Sequence, residues 1–527
     1  MYRILVSDRL GDTGIELLDQ AEDVEFDVKL ELSKEELISI IPGYEAIIVR
    51  SGTKVDADVL AAGSNLRVVG RAGIGVDNID LQAATSKGII VMNTPQANAV
   101  ATAEQAMTLM LAVSRHTAPA HASLLAGEWR RSDFVGRQLY RKVLGIIGFG
   151  RIGRLFASRA KSFGMEILAY DPFVSEDVAK ELGVALVDLD DLLEQSDYIS
   201  LHTTITPQTK KIIDASAIHK MKDRVVIVNS ARGALIDEEA LADALRQGKV
   251  KAAAVDVYSQ EPPKENPLIG LPNVLHTPHL GASTVEAQRN VATQIVEQVI
   301  DALRGNDFRN TVNMPFHAGP DFATLAPHML LAEKLGILQR AMAPAPIRRV
   351  EVEVRGELVD RLVRPAAAAL LKGLLERSLA DSVNYINAPL LAEEHGITIT
   401  QTKGLNLVDY PNLISCLVHW DNGHRLLAGV LFGGTEPRLV QVDDYHLDAS
   451  PKGTILILQN QDVPGVIGQV GTILAAAEVN IGEWRMGRHH PGGLALSFIS
   501  LDSEPDRETL RLLEEIPAVI GVKLVTI

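Results

Sequence analysis

Hydrophobic and polar positions along the chain fall into two long stretches of one kind, a less regular third and a compact tail. From Tyr2 to about Asn93, short β-rich runs at 4–7, 25–28, 46–49, 68–70 and 89–92 alternate with helix-like segments, the pattern of a parallel α/β sheet. A second series begins near Lys142, with runs at 143–147, 166–170, 198–201, 225–229, 252–255 and 274–275. These are almost wholly apolar, as strands covered on both faces are. Two doubly wound α/β lobes are predicted. Ser283-Thr284-Val285-Glu286 has the spacing of a capping box and opens a helix to about Leu303, which would lead the chain back to the first lobe.

Beyond Asn313-Met314-Pro315 the pattern weakens. Residues 325–449 offer one legible element, a helix over 366–379, followed by the stretch 384–389. The tail is clearer. A strand at 454–459 precedes a helix with Val466, Ile467, Val470, Ile473 and Leu474 on one face. An alternating strand at 494–501, a helix at 510–516 and a strand at 522–527 complete a βαββαβ order of the ferredoxin type. The expected division is 1–96 with 284–316, then 97–283, 317–450 and 451–527.

Composition narrows the function classes. A chain of 527 residues, 46% hydrophobic, is too long for one core. No apolar run approaches the roughly 20 residues of a membrane span, and the first residues enter a strand pattern at once, so a cytoplasmic protein is expected. The single cysteine, Cys416, excludes an intrachain disulfide framework and a cysteine-rich zinc site, and is expected to be buried. A net charge of -16 argues against nucleic acid or anionic membrane as partners. An anionic substrate would need a pocket of opposite local charge.

Two groups of motifs carry chemistry. Gly148-Phe149-Gly150-Arg151-Ile152-Gly153 follows an apolar strand and precedes a helix-like segment. The glycines permit a tight turn, and the helix start offers N–H groups to a pyrophosphate. Asp171 ends the next strand, where a carboxylate accepts from both ribose hydroxyls and repels a 2′-phosphate, favouring NAD over NADP. Three further segments follow strands: Asn229-Ser230-Ala231-Arg232-Gly233, Asp256-Val257-Tyr258-Ser259-Gln260-Glu261-Pro262 and Thr277-Pro278-His279-Leu280-Gly281-Ala282. Beyond the carboxyl ends of parallel strands they would line one crevice. His279 is the candidate base, Arg232 the fork for a carboxylate near a developing carbonyl, and Glu261 the partner that orients the imidazole.

Residues 148–153, 230–233, 256–262 and 278–284 resemble the signatures of the D-isomer-specific 2-hydroxyacid dehydrogenases, over about residues 1–316. The resemblance implies catalytic roles for Arg232, Glu261 and His279. It implies cofactor contacts at Arg151, Ile152, Asp171, Thr203, Ser230, Ala231, Asp256, Leu280, Gly281 and Ala282, with Asp256 at the nicotinamide carboxamide. The segments 49–54 and 70–80 resemble the branch acting on D-3-phosphoglycerate, although Ile74 stands where that branch often has Thr. Arg50 and Arg71 are then the phosphate partners, the backbone of Ser51 and Gly52 holds the carboxylate, and Asn98 contributes, as does Arg131 from a neighbouring subunit.

Asn460-Gln461-Asp462-Val463-Pro464-Gly465-Val466-Ile467-Gly468 resembles the strand-to-helix turn of ACT domains. The resemblance implies an amino-acid effector, serine, with its carboxylate near Gly465 and its ammonium on Asp462 and Asn480; a ferredoxin-like dimerisation module without ligand is the alternative. The whole order resembles the long form of the family, a homodimer or homotetramer with a regulatory domain between catalytic core and ACT unit. A glyoxylate or hydroxypyruvate reductase and a non-catalytic NAD-sensing corepressor remain as other readings.

Overall fold

The structure is a computed structural model and describes every residue except 318–321, 377–378, 380–382, 405–409 and 411. The first β-rich series forms a five-stranded sheet in the order Val24–Val28, Tyr2–Val6, Ala46–Val49, Val68–Arg71, Ile90–Met92, all parallel. The second forms a seven-stranded parallel sheet: Val274–His276, Val250–Val255, Val225–Asn229, Tyr198–Leu201, Val143–Ile147, Glu166–Tyr170, Ala185–Leu186. The last strand, two residues long, carries too little pattern to be seen in sequence. Ala46–Val49 and Val225–Asn229 are buried at every position, which is why they read as apolar runs and not as alternations.

The chain passes from the first sheet to the second through the helix Ala99–Ser114, packed on the helix Arg151–Ser162. It returns through Val285–Arg304, whose Ile295 and Val299 lie against Gly70. A side chain at Gly70 would collide with Val299, so the bare backbone lets helix and sheet meet. The start of this helix corrects the sequence reading: Thr284, not Ser283, is the N-cap, its hydroxyl accepting from the Ala287 N–H. Glu286 lies in the first turn, favourable to the helix dipole without closing a capping box.

The third region is richer in strand than the sequence reading allows. Arg349–Gly356 pairs in parallel with Thr398–Gly404, and antiparallel strands Asn412–Trp420, Gly423–Phe432, Glu436–Val442 and Tyr445–Ala449 extend the sheet. Helices Phe322–Met342 and Val359–Leu375 cover it, crossing where Gly336 and Gly373 leave no room for a Cβ. The expected helix over 366–379 is the end of the second of these, and residues 377–378 fall outside the described ones. Cys416 is fully buried in this sheet, and burial pushes its thiol up to about 12. Asn384 Nδ2 donates to the Gly88 carbonyl at 2.6 Å, tying this region to the first lobe.

The tail has the expected ferredoxin-like order, a four-stranded antiparallel sheet under helices Val466–Ala476 and Arg507–Glu514. Val466, Val470 and Leu474 face its core, whereas Ile467 points outward. Among the described residues, no helix is long and apolar enough to cross a membrane.

Candidate active site

A cavity of about 700 Å³ lies between the first two lobes, lined by the loops that follow strands Val68–Arg71, Val225–Asn229 and Val274–His276. It gathers Arg50, Ser51, Arg71, Asn98, Arg151, Ile152, Thr203, Ser230, Ala231, Arg232, Glu261, His279, Gly281 and Ala282. Residues separated by more than two hundred positions thus meet at the carboxyl ends of parallel strands.

His279 Nδ1 lies 2.7 Å from Glu261 Oε2, and Glu261 Oε1 accepts from the Tyr258 N–H at 3.1 Å. Burial works to raise the Glu261 carboxyl. The His279 imidazole, the Tyr258 N–H and Arg232 outweigh it and hold the group below its ordinary range. Glu261 is therefore an anion aimed at one ring nitrogen, which leaves Nε2 for a proton on a ligand. His279 occupies the left-handed region, φ 54°, and its N–H donates to the Asp256 carbonyl.

Asp256 is fully buried and does not line the cavity. Its carboxylate accepts from the Thr277 hydroxyl, from Leu280 N at 2.7 Å and from Gly281 N at 2.9 Å. Asp256 thereby holds the backbone that carries His279. Leu280 likewise contributes its N–H to this fixture and is absent from the lining.

Three arginines converge in the cavity, Arg50 and Arg71 from the first lobe and Arg232 from the second. Arg71 is largely buried, and its Nε has no acceptor among the described residues. Burial, followed by the neighbouring charge of Arg232 and of Arg50 and opposed by Asp77 and Asp8, brings its guanidinium down to about 10. A cation in that setting requires an anion. Room for it comes from a glycine in extended, positive-φ backbone: a Cβ on Gly73, φ 153°, would overlap Arg71 Nη1. The 50–53 loop is pinned by Asp8, whose carboxylate accepts from Arg50 N at 2.6 Å and Thr53 N at 3.1 Å. Ser51 lines the cavity, and a Cβ on Gly52 would meet the Asp8 carboxylate, so the loop lies against Asp8 at that position. Arg131 is exposed on the short helix Arg131–Phe134 and is also outside the lining.

The glycine turn fits a dinucleotide. Gly148 has φ 93°, and a Cβ there would strike the His202 backbone; one on Gly153 would stand 2.2 Å from the Gly148 carbonyl oxygen. Gly150 caps the helix Arg151–Ser162 and has nothing within 4 Å of a Cβ position, so the helix start is open to a phosphate. Asp171 accepts from Phe149 N at 2.8 Å and Phe173 N at 2.9 Å, which fixes a carboxylate beside the turn. The buried Ser230 Oγ and Asn98 Oδ1, both on the lining, have no partner among the described residues. Sequence reasoning passes over Asp77, Gly73, Gly75 and His202. Only the repeated glycines of the 70–80 segment hint at the first three, and His202, half-buried on the cavity lining and pushed down to about 3 by desolvation, has no outward signal.

At the C-terminal turn the expected effector residues do not come together as free groups. Asp462 accepts from Arg488 Nη1 at 2.9 Å and from the Gly492 N–H, and Arg488 holds its carboxyl below the ordinary range. Asn480 Nδ2 donates to Asp502 at 2.7 Å. Gly465, φ 98°, stands open at the helix start.

Comparisons with known proteins agree with this geometry. Residues 107–281 match the D-isomer specific 2-hydroxyacid dehydrogenase, NAD binding domain; residues 324–443 match the D-3-phosphoglycerate dehydrogenase intervening domain; residues 454–518 match the ACT domain. A D-3-phosphoglycerate dehydrogenase of Archaeoglobus fulgidus is 42% identical over 99% of this chain and 99% of its own. One from Methanocaldococcus jannaschii is 42% identical over 100% of both. A solved glyoxylate reductase from Paecilomyes thermophila is 33% identical, with a TM-score of 0.55, over 59% of this chain and 98% of its own. The chain belongs to the D-3-phosphoglycerate dehydrogenase family, the NAD-dependent 2-hydroxyacid dehydrogenases that carry an intervening domain and an ACT domain.

Proposed function

We propose that the chain oxidises D-3-phosphoglycerate to 3-phosphohydroxypyruvate, the entry reaction of phosphorylated serine synthesis. The observation that carries this reading is the largely buried Arg71, without an ion pair among the described residues, beside Arg50 and Arg232 in the same cavity as the His279–Glu261 pair. A singly charged hydroxy acid needs one guanidinium; a substrate with a carboxylate and a phosphate accounts for three. The cluster also answers how an anion enters a protein of net charge -16, since local field decides capture.

Bound NAD supplies the hydride acceptor. Arg232 forks onto the substrate carboxylate and lies against the oxygen that becomes the carbonyl, while Arg50 and Arg71 hold the phosphate. His279 Nε2 takes the hydroxyl proton, and Glu261 stabilises the imidazolium that results. Asp256 keeps the loop of His279 in place. The test is NADH formation with D-3-phosphoglycerate against D-glycerate and D-lactate. The phosphorylated substrate should be preferred, and Arg71→Ala should lower kcat/KM for it alone, by about 100-fold for two lost charge-assisted bonds. Equal turnover of the unphosphorylated acids would favour a glyoxylate or hydroxypyruvate reductase; NAD binding without turnover of any acid would favour a corepressor.

The ACT unit supports a small-molecule effector, and we read L-serine as its ligand, with its carboxylate at the helix start beside Gly465. Its ammonium would have to compete with Arg488 for Asp462.

A further inference from the structure

Among the described residues, one ion pair joins residues 1–98 to residues 99–284: Arg232 Nε donates to Asp77 Oδ2 at 2.9 Å. The two partners come from opposite walls of the cleft, Asp77 from the loop after Val68–Arg71 and Arg232 from the loop after Val225–Asn229. Gly75 makes the approach possible. A Cβ there would fall 1.7 Å from Arg232 Nη2 and 2.7 Å from Asp77 Oδ2, so both groups lie over bare backbone. Arg232 Nη1 also donates to the Ala231 carbonyl at 2.7 Å. Of the five N–H donors of a guanidinium, these two bonds leave the remainder, mainly on Nη2, for a ligand in the cavity.

We propose that Asp77 is a positioning residue for Arg232: it fixes the carboxylate-binding fork and makes that fork available in one orientation only when the two lobes are together. An arginine side chain loses rotamer freedom when immobilised, and a group that holds it beforehand removes part of that cost from substrate binding. Its anionic charge also sets a second carboxylate on the same guanidinium as the substrate, which favours release of a product that carries the same charges. Stability is not the function of the pair. The Asp77 side chain is 58% exposed, and pairs of that kind contribute little to folding.

The inference rests on the reading of Arg232 as the carboxylate anchor. Steady-state kinetics with D-3-phosphoglycerate on Asp77→Ala, Asp77→Asn, Arg232→Lys and the Asp77→Ala/Arg232→Lys double variant test it, with NAD affinity and Tm measured alongside. Asp77→Ala should lose about 10-fold or more in kcat/KM, while NAD affinity stays within about twofold and Tm within about 2 °C. Asp77→Asn, which keeps an acceptor oxygen, should recover most of the loss. Lysine has no Nε–H at this position, so in the Arg232→Lys background Asp77→Ala should cost nothing further. Asp77→Ala within about twofold of wild type, or losses that add in the double variant, overturn the proposal. An unimpaired Arg232→Lys enzyme overturns the anchor reading itself, so the two failures are told apart.

Discussion

Two turns in this molecule are built alike and differ in what their neighbours leave free. At 148–153 and at 462–468 a strand runs through glycine into a helix whose first N–H groups face outward. Around the first, Ser230 Oγ, Asn98 Oδ1 and Arg71 Nε are buried and without partners among the described residues, and all three residues line one cavity. Around the second, Asp462 and Asn480 are engaged by Arg488 and Asp502, and none of the buried, unpartnered side-chain atoms among the described residues lies beyond residue 450. A site built for a resident ligand holds polar groups that the protein does not satisfy by itself. One built for an occasional ligand keeps its charges paired, and the ligand must displace something.

The contrast can be broken at several points. The largest effect belongs to the cleft: His279→Ala should lower kcat by roughly 10² to 10⁴, the contribution of a general base, and an unchanged rate would remove it from the chemistry. Next comes the first turn itself. Gly153→Ala places a methyl 2.2 Å from the Gly148 carbonyl oxygen, so NAD binding measured by fluorescence titration should weaken by about 10-fold or more. Retained affinity would show that the turn tolerates a shift. At the second turn, Arg488→Ala releases Asp462, and L-serine measured by calorimetry should bind several-fold tighter. Weaker binding would instead make Arg488 part of the effector site. The smallest effect is expected at Gly468, exposed in the helix with nothing within 4 Å of a Cβ. Gly468→Ala should raise the unfolding free energy of this unit by about 0.5–1 kcal/mol and leave turnover alone, unlike its counterpart Gly153→Ala.

The two parallel sheets were legible because strands such as Ala46–Val49 and Val225–Asn229 are buried on both faces and leave an unbroken apolar run. The His279, Glu261 and Arg232 segments were legible because each follows such a strand. The third region was not, although Val350, Val352 and Val354 are fully buried in alternation with half-buried Glu351 and Glu353. That signal is a charged strand face, which reads as easily as a loop when no turn marks its ends. Asp77 escaped for a different reason. Its partner is Arg232, 155 positions away, and nothing local distinguishes a carboxylate that crosses a cleft from one that faces water. Asp256 was recognised as important, but its pairing with the loop that carries His279 can be known only once Thr277, Leu280 and Gly281 are folded around it.

The chain crosses between the lobes twice, before Ala99–Ser114 and again before Val285–Arg304, and the two crossings are tied together where the Thr102 hydroxyl donates to the Gly281 carbonyl at 3.2 Å. A joint with two adjacent straps resists twisting and sliding. Residues 279–282 lead into one of those straps, so His279 sits beside the connection, while Arg50 and Arg71 belong to the first lobe. The reaction centre thus spans a joint made of two adjacent connections, with its base beside the joint and its anion-binding arginines on both sides of it.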